Sequence, residues 1–234
     1  MELAMENKKQ DYPFLKESNI EDEASKLLDS FFKEKGWKTQ APIPVFDIIE
    51  HLGYNIDFRT DGIYQDKNFL GGLLISKKIV EINENLSNQE GRMNFTAAHE
   101  AGHIVLHVPH YLEQNKTEEN EKTEIICRKN EGFEGNKKAP EEWQADKFAA
   151  NLLMPSKMVK KAFFEIQPRP INVRKKKLRE ILFPKSPIVK AYKLAAKVME
   201  KGNFSNVSKM AMLNRLIGLK LVNGLTYQKS IVAK

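Results

Sequence analysis

The chain has 234 residues, of which 41% are hydrophobic and 29% charged, with a net charge of +7 and a single cysteine, Cys127. This composition provides a core for one large domain, or for a domain with an appendage, and excludes an internal disulfide bond. Because no apolar run approaches the roughly 18 residues of a membrane helix and the first residues lack the apolar segment of a signal peptide, we expect a cytoplasmic protein.

Charge is divided unevenly along the chain. Residues 156–234 contain 19 Lys and Arg against 3 Asp and Glu, a balance of +16, whereas residues 1–155 contain 19 against 28, a balance of −9. A strongly basic segment is typical of a surface for nucleic acid or for an acidic partner.

The first elements after a polar, flexible tail at 1–19 are predicted to be helices. From Ile20, apolar residues recur at helical spacing as far as Gly36, and a shorter helix is predicted from Phe46 to Leu52.

Short extended runs follow these helices. Residues 55–59, 70–76 and 79–82, separated by turn residues, predict a small, largely antiparallel sheet. Ser87 and Glu90 then form a predicted capping box at the start of a third helix.

That third helix contains the motif His99-Glu100-Ala101-Gly102-His103. Two histidines four residues apart on a helix lie about 40° apart around the axis and about 6 Å apart along it, so both imidazoles can reach one metal ion. The glutamate after the first histidine is then placed to take a proton from a water molecule that the metal activates. The motif therefore predicts a metal site with Glu100 as general base. Two ordinary surface histidines are the alternative.

The residues after His103, IVLHVPH, lack the glycine and third histidine of the HExxHxxGxxH pattern, which excludes a metzincin. His107 lies about 12 Å along the helix from His99, too far to share its ion, so we interpret it as a packing or capping histidine.

Residues 113–140, rich in Glu, Lys and Asn, are predicted to form a mobile loop that contains Cys127. The helix that follows, from Glu141 to Pro155, has Glu142 and Asp146 on one face. A catalytic zinc site needs a third protein ligand besides two histidines, and a carboxylate from a neighbouring helix is one solution. Glu142 is therefore the predicted third ligand. Asp146 is placed to accept the free ring N–H of a ligand histidine, although both carboxylates also suit a solvated acidic edge.

The basic C-terminal part is predicted to form two helices, at 188–201 and 208–219, separated by Gly202 and Asn203. This helix-turn-helix arrangement suits phosphate binding, and a solvated lysine face on helices that support the core is an equal alternative. On the first helix, the predicted basic side comprises Lys190, Lys193, Lys197 and Lys201, and the predicted apolar side comprises Val189, Tyr192, Ala196 and Met199.

Three motifs in this order resemble the ImmA/IrrE family of zinc metallopeptidases. They are NFTAAHEAGHIVLH at 94–107, EEWQADKFAANLLMP at 141–155 and VSKMAMLNRLIGLKLV at 207–222. The resemblance implies an α+β fold, with a gluzincin-like metallopeptidase domain at 20–165 and a basic helical C-terminal region at 166–234.

The resemblance also implies a site and a substrate. Zn²⁺ would be held by His99, His103 and Glu142, with Glu100 as general base. Members of this family typically cleave, or otherwise relieve, a helix-turn-helix repressor that silences a mobile element or a stress regulon.

Two other functions remain open from the sequence. One is a DNA-binding regulator with a structural or sensory zinc site, whose affinity in a gel shift would fall steeply with salt. The other is a protein that sequesters a repressor without hydrolysis.

Overall fold

The structure, a computed structural model, describes residues 13–60, 69–114, 124–125, 139–174 and 186–227. These residues form a mixed α+β fold with eight α-helices and six strands. The helices are α1 (Glu17–Lys35), α2 (Val45–His51), α3 (Glu90–Leu106), α4 (Val108–Gln114), α5 (Pro140–Leu153), α6 (Ser156–Ile166), α7 (Pro187–Gly202) and α8 (Lys209–Gly218). The strands are β1 (Asn55–Arg59), β2 (Gly71–Leu74), β3 (Ile79–Asn83), β4 (Glu124–Ile125), β5 (Ile171–Asn172) and β6 (Val222–Asn223).

The larger sheet contains four strands in the order β1-β3-β2-β4. β2 is antiparallel to both β3 and β4, whereas β1 is parallel to β3. The prediction of a small, largely antiparallel sheet is confirmed, and the parallel pair was not anticipated. Most of the loop predicted at 113–140 lies outside the described residues, as does Cys127, but Glu124–Ile125 within it forms the edge strand β4.

The predicted capping box at the start of α3 is wrong. The residue that precedes the helix is Gln89, and no side chain there accepts a hydrogen bond from the first turn. Ser87 instead ends a short 3-10 turn, Glu84–Leu86. The sequence pattern was misread because this turn lies between β3 and α3 and displaces the helix start by two residues.

Gly91, in the first turn of α3, has a packing role. A Cβ atom at this position would lie 2.5 Å from the backbone nitrogen of Ser208 and 2.8 Å from the carbonyl carbon of Val207. The absence of a side chain therefore lets the segment before α8 pass directly against α3.

The C-terminal helices pack into the same hydrophobic core as the rest of the described chain. The apolar side predicted for α7 is right only in part. Tyr192 and Met199 pack against the core, but Val189 is 44% exposed, and the buried side chains are Ala191, Ala195 and Val198. The helix is rotated relative to the prediction, since small residues allow it to approach α6 and α8. Of the predicted basic side, Lys193, Lys197 and Lys201 are exposed and Lys190 is half-buried.

Arg215 of α8 joins the C-terminal region to α5. Its Nε donates to the carbonyl oxygen of Met154 at 2.9 Å, and its terminal nitrogen donates to Oδ1 of Asn151 at 2.7 Å. Burial lowers the pKa of this guanidinium below its ordinary value. A second, two-stranded parallel sheet pairs β5, which follows α6, with β6, which follows α8. No helix within the described ranges is long and apolar enough to span a membrane.

Candidate metal centre

The candidate site lies where α3 and α5 pack against each other, and Gly102 makes their close approach feasible. A Cβ atom at position 102 would lie 3.1 Å from both the Cα of Ala145 and the Cβ of Phe148, which is tighter than ordinary packing. Ala145 and Phe148 are both fully buried. The glycine inside the histidine motif thus brings α5, and with it Glu142, toward the two histidines.

The structure brings together the three predicted ligands, His99, His103 and Glu142, in an arrangement that could hold a metal ion. The Nε2 atoms of the two histidines are 2.9 Å apart. One Glu142 carboxylate oxygen lies 3.3 Å from Nε2 of His103, and the other lies 3.7 Å from Nε2 of His99. Both histidines are buried, whereas the Glu142 side chain is 20% exposed. The cluster therefore opens to solvent on the Glu142 side.

The donor atoms of this cluster fit a zinc ion in kind and in spacing. Two imidazole nitrogens and a carboxylate oxygen form one of the ligand sets of catalytic zinc. Tetrahedral bonds of about 2.0–2.1 Å place neighbouring ligand atoms about 3.3–3.4 Å apart. The observed separations of 2.9, 3.3 and 3.7 Å lie on both sides of that value.

Asp146, one helical turn after Glu142, lies beside His99. Its Oδ1 is 2.9 Å from Nδ1 of His99, the ring nitrogen that faces away from the cluster. A carboxylate accepts at this distance, so Nδ1 carries the proton and Nε2 presents its lone pair to the other ligands. The sequence placed Asp146 beside one of the two histidines, and the structure shows that it is His99.

His107 contacts the cluster and Gln144 contacts His107, and the sequence analysis missed both contacts. His107 ends α3 as its capping residue, and its Nδ1 lies 2.9 Å from Nδ1 of His103. Burial, with a further contribution from His103, lowers the pKa of His107 to about 4. The spacing of four residues after His103 was a usable signal, because it places both rings on one helix face.

Glu100 is 1% exposed and lies beside strand β2. A Cβ atom at Gly71, the first residue of β2, would lie 3.3 Å from Oε1 of Glu100 and 2.6 Å from the γ-methyl carbon of Thr96. Gly71 therefore lets the backbone of β2 run alongside the Glu100 carboxylate.

A helix that carries two histidines four residues apart and meets a carboxylate from a second helix defines a class of metal-dependent hydrolases. Residues 56–169, just under half of the chain, match the peptidase family model described as "IrrE N-terminal-like domain". The match over these residues supports an ImmA/IrrE family member and, in general, a metallopeptidase. No curated protein matches the chain.

Proposed function

We propose that this protein is a zinc-dependent endopeptidase with a gluzincin-like site. The observation that carries the proposal is the convergence of His99, His103 and Glu142, with the buried Glu100 next to His99 in the sequence. The family match supports the same activity. In this proposal the three converging residues are the zinc ligands, and Asp146 orients His99.

Zinc, when bound, supplies a Lewis acid that polarises a carbonyl and lowers the pKa of a water molecule to about 7. The Glu100 carboxylate then accepts a proton from the attacking water as a C–O bond forms at the peptide carbonyl. Glu100 delivers that proton to the amine nitrogen as the C–N bond breaks. A single side chain, Glu100, therefore accepts the proton and later donates it.

An extended segment of a protein substrate would be bound along β2. Within the described residues, β4 pairs with β2 at Leu73 and Leu74, which leaves Gly71 and Gly72 ahead of that pairing. Gly71 is also the residue that runs beside Glu100. Backbone hydrogen bonds at this end of the strand would hold a peptide near the general base. We propose a helix-turn-helix repressor as the substrate, which is the typical target of the family.

The test uses purified wild type, Glu100→Gln and a matched variant, Glu90→Gln, which changes an exposed residue at the start of the same helix. Each is loaded with zinc and incubated with a candidate repressor. Loss of the general base is expected to lower the cleavage rate by at least about 100-fold while zinc content stays at the wild-type level. Glu90→Gln is expected to cleave at the wild-type rate.

Cleavage by Glu100→Gln at the wild-type rate would refute the role of Glu100. Equal release of DNA by intact repressor with wild type and Glu100→Gln, without a fragment, would favour sequestration instead.

A further inference from the structure

A chain of hydrogen-bonding groups leads from the ligand His103 away from the cluster. Nδ1 of His103 lies 2.9 Å from Nδ1 of His107, and Nε2 of His107 lies 3.3 Å from Oε1 of Gln144. Nε2 of Gln144 lies 3.1 Å from the carbonyl oxygen of Pro13. We propose that His107 and Gln144 are positioning residues that set the ring tautomer of His103 for metal binding, an inference that rests on the proposed zinc site.

The donor and acceptor roles in this series of hydrogen bonds follow from its outer end, at Pro13. A backbone carbonyl only accepts hydrogen bonds, so the amide NH₂ of Gln144 must face Pro13. The side-chain oxygen of Gln144 then faces His107. Because this oxygen also only accepts, Nε2 of His107 must carry a proton and donate it.

The same reasoning assigns the ring tautomer of His103. A neutral imidazole has one proton, so a His107 ring protonated at Nε2 presents a lone pair at Nδ1. Nδ1 of His103, 2.9 Å away, must then be the protonated partner. This leaves Nε2 of His103 unprotonated and directed at His99 and Glu142, as a metal ligand requires.

The two ligand histidines are thus oriented by different chemistry. His99 donates directly to the Asp146 carboxylate. His103 donates to a neutral ring, and the amide of Gln144 makes that ring the right acceptor. The three side chains in this series of hydrogen bonds are buried, with His103, His107 and Gln144 exposed by 2%, 1% and 0%. Bulk water therefore does not supply a substitute acceptor.

The outer end of the chain is held by contacts between the segment before α1 and α5. Phe14, next to Pro13, stacks on Trp143 with the ring centroids 5.9 Å apart. Nζ of Lys147 lies 2.9 Å from a carboxylate oxygen of Glu17 at the start of α1. These contacts keep the Pro13 carbonyl at Gln144.

The experiment measures zinc affinity by competition with a chromophoric chelator, together with the melting temperature of the metal-free protein. His107→Leu removes the acceptor and is expected to weaken zinc binding by about 10–100-fold, the range for groups that orient a ligand. His107→Asn keeps an oxygen toward His103 and an amide toward Gln144, so its affinity should lie between those of wild type and His107→Leu. Gln144→Met, of similar volume, should weaken binding by about 10-fold.

Asn151→Ala is the matched control, because Asn151 is a buried polar residue of the same helix that bonds Arg215 instead of the cluster. It should lower the melting temperature without changing zinc affinity. Wild-type zinc affinity in folded His107→Leu would overturn the proposal. If His107→Leu fails to fold, wild-type zinc affinity in Gln144→Met would overturn it instead. Because cleavage is not measured, absence of zinc binding by the wild type would instead refute the proposed function.

Discussion

The two helix pairs α3 with α5 and α7 with α8 are packed in contrasting ways. Between α3 and α5, the buried side chains of His99 and His103 converge with the partly buried Glu142. Between α7 and α8 and their neighbours, the buried side chains are mostly apolar, and the buried charge Arg215 bonds groups at the end of α5. Both pairs belong to one hydrophobic core.

This difference distinguishes the helix pair at the candidate metal centre from the helix pair that supports the fold. Burying polar groups costs free energy unless they are paired, so a helix interface that collects several of them departs from the composition that stability alone favours. At the α3–α5 interface, these groups include three whose donor atoms could hold a metal ion. The C-terminal interface has the ordinary composition of a core, with Arg215 as a structural link. Variants that affect zinc affinity and stability independently will test this distinction.

The largest effect on zinc affinity is expected from Glu142→Ala, which removes the proposed ligand from α5. Zinc affinity should fall by more than the roughly 10–100-fold that loss of an orienting group costs, and cleavage should be abolished. Competition titration and metal analysis of the purified protein provide the measurement. Glu141→Ala removes the same charge one residue earlier and should bind zinc like wild type. Equal affinities for the two variants would show that α5 supplies no ligand.

An intermediate effect on zinc affinity is expected from Gly102→Val. This change places a branched side chain where a Cβ atom alone would lie 3.1 Å from α5. Overpacking should lower the free energy of unfolding by about 1–3 kcal/mol, and the displaced Glu142 should weaken zinc binding. Denaturant unfolding and zinc titration measure the two effects. Gly91→Ala, at the other end of α3, faces the segment before α8 and should reduce stability alone. Weaker zinc binding in Gly91→Ala would mean that the two interfaces are not separable.

The smallest effect on the site is expected from Arg215→Met. It leaves the Met154 carbonyl and the Asn151 amide oxygen without this donor, which should lower the free energy of unfolding by about 1–3 kcal/mol. Zinc affinity should remain that of wild type, because none of these groups touches the cluster. Lys209→Met, an exposed substitution in the same helix, is the control for loss of charge. A fall in zinc affinity in Arg215→Met would contradict a purely structural role.

The elements that the sequence predicted well are those whose pattern is local. The periodicity of α5 predicted its bounds to within two residues and its apolar side chains, including Phe148, Leu152 and Leu153, all of which are fully buried. The histidine spacing likewise predicted that His99 and His103 share a helix face. These predictions succeed because helical geometry relates neighbours in sequence directly to neighbours in space.

Other features depend on segments that are distant in sequence. The side of α7 that became buried was decided by packing against α6 and α8, which a single-helix pattern does not contain. The same holds for the parallel pairing of β1 with β3, since a pattern of alternating residues specifies a strand but not its partner.

The sequence by itself therefore determined which side chains are able to bind a metal ion, because their types and their spacing on a helix are local properties. Only the tertiary structure decided that Gln144, 37 residues after His107, lies beside it, and that Gly102 brings Glu142 within reach of both histidines. The physical reason is that the packing distance between α3 and α5 depends on both helices together, and neither segment specifies it alone.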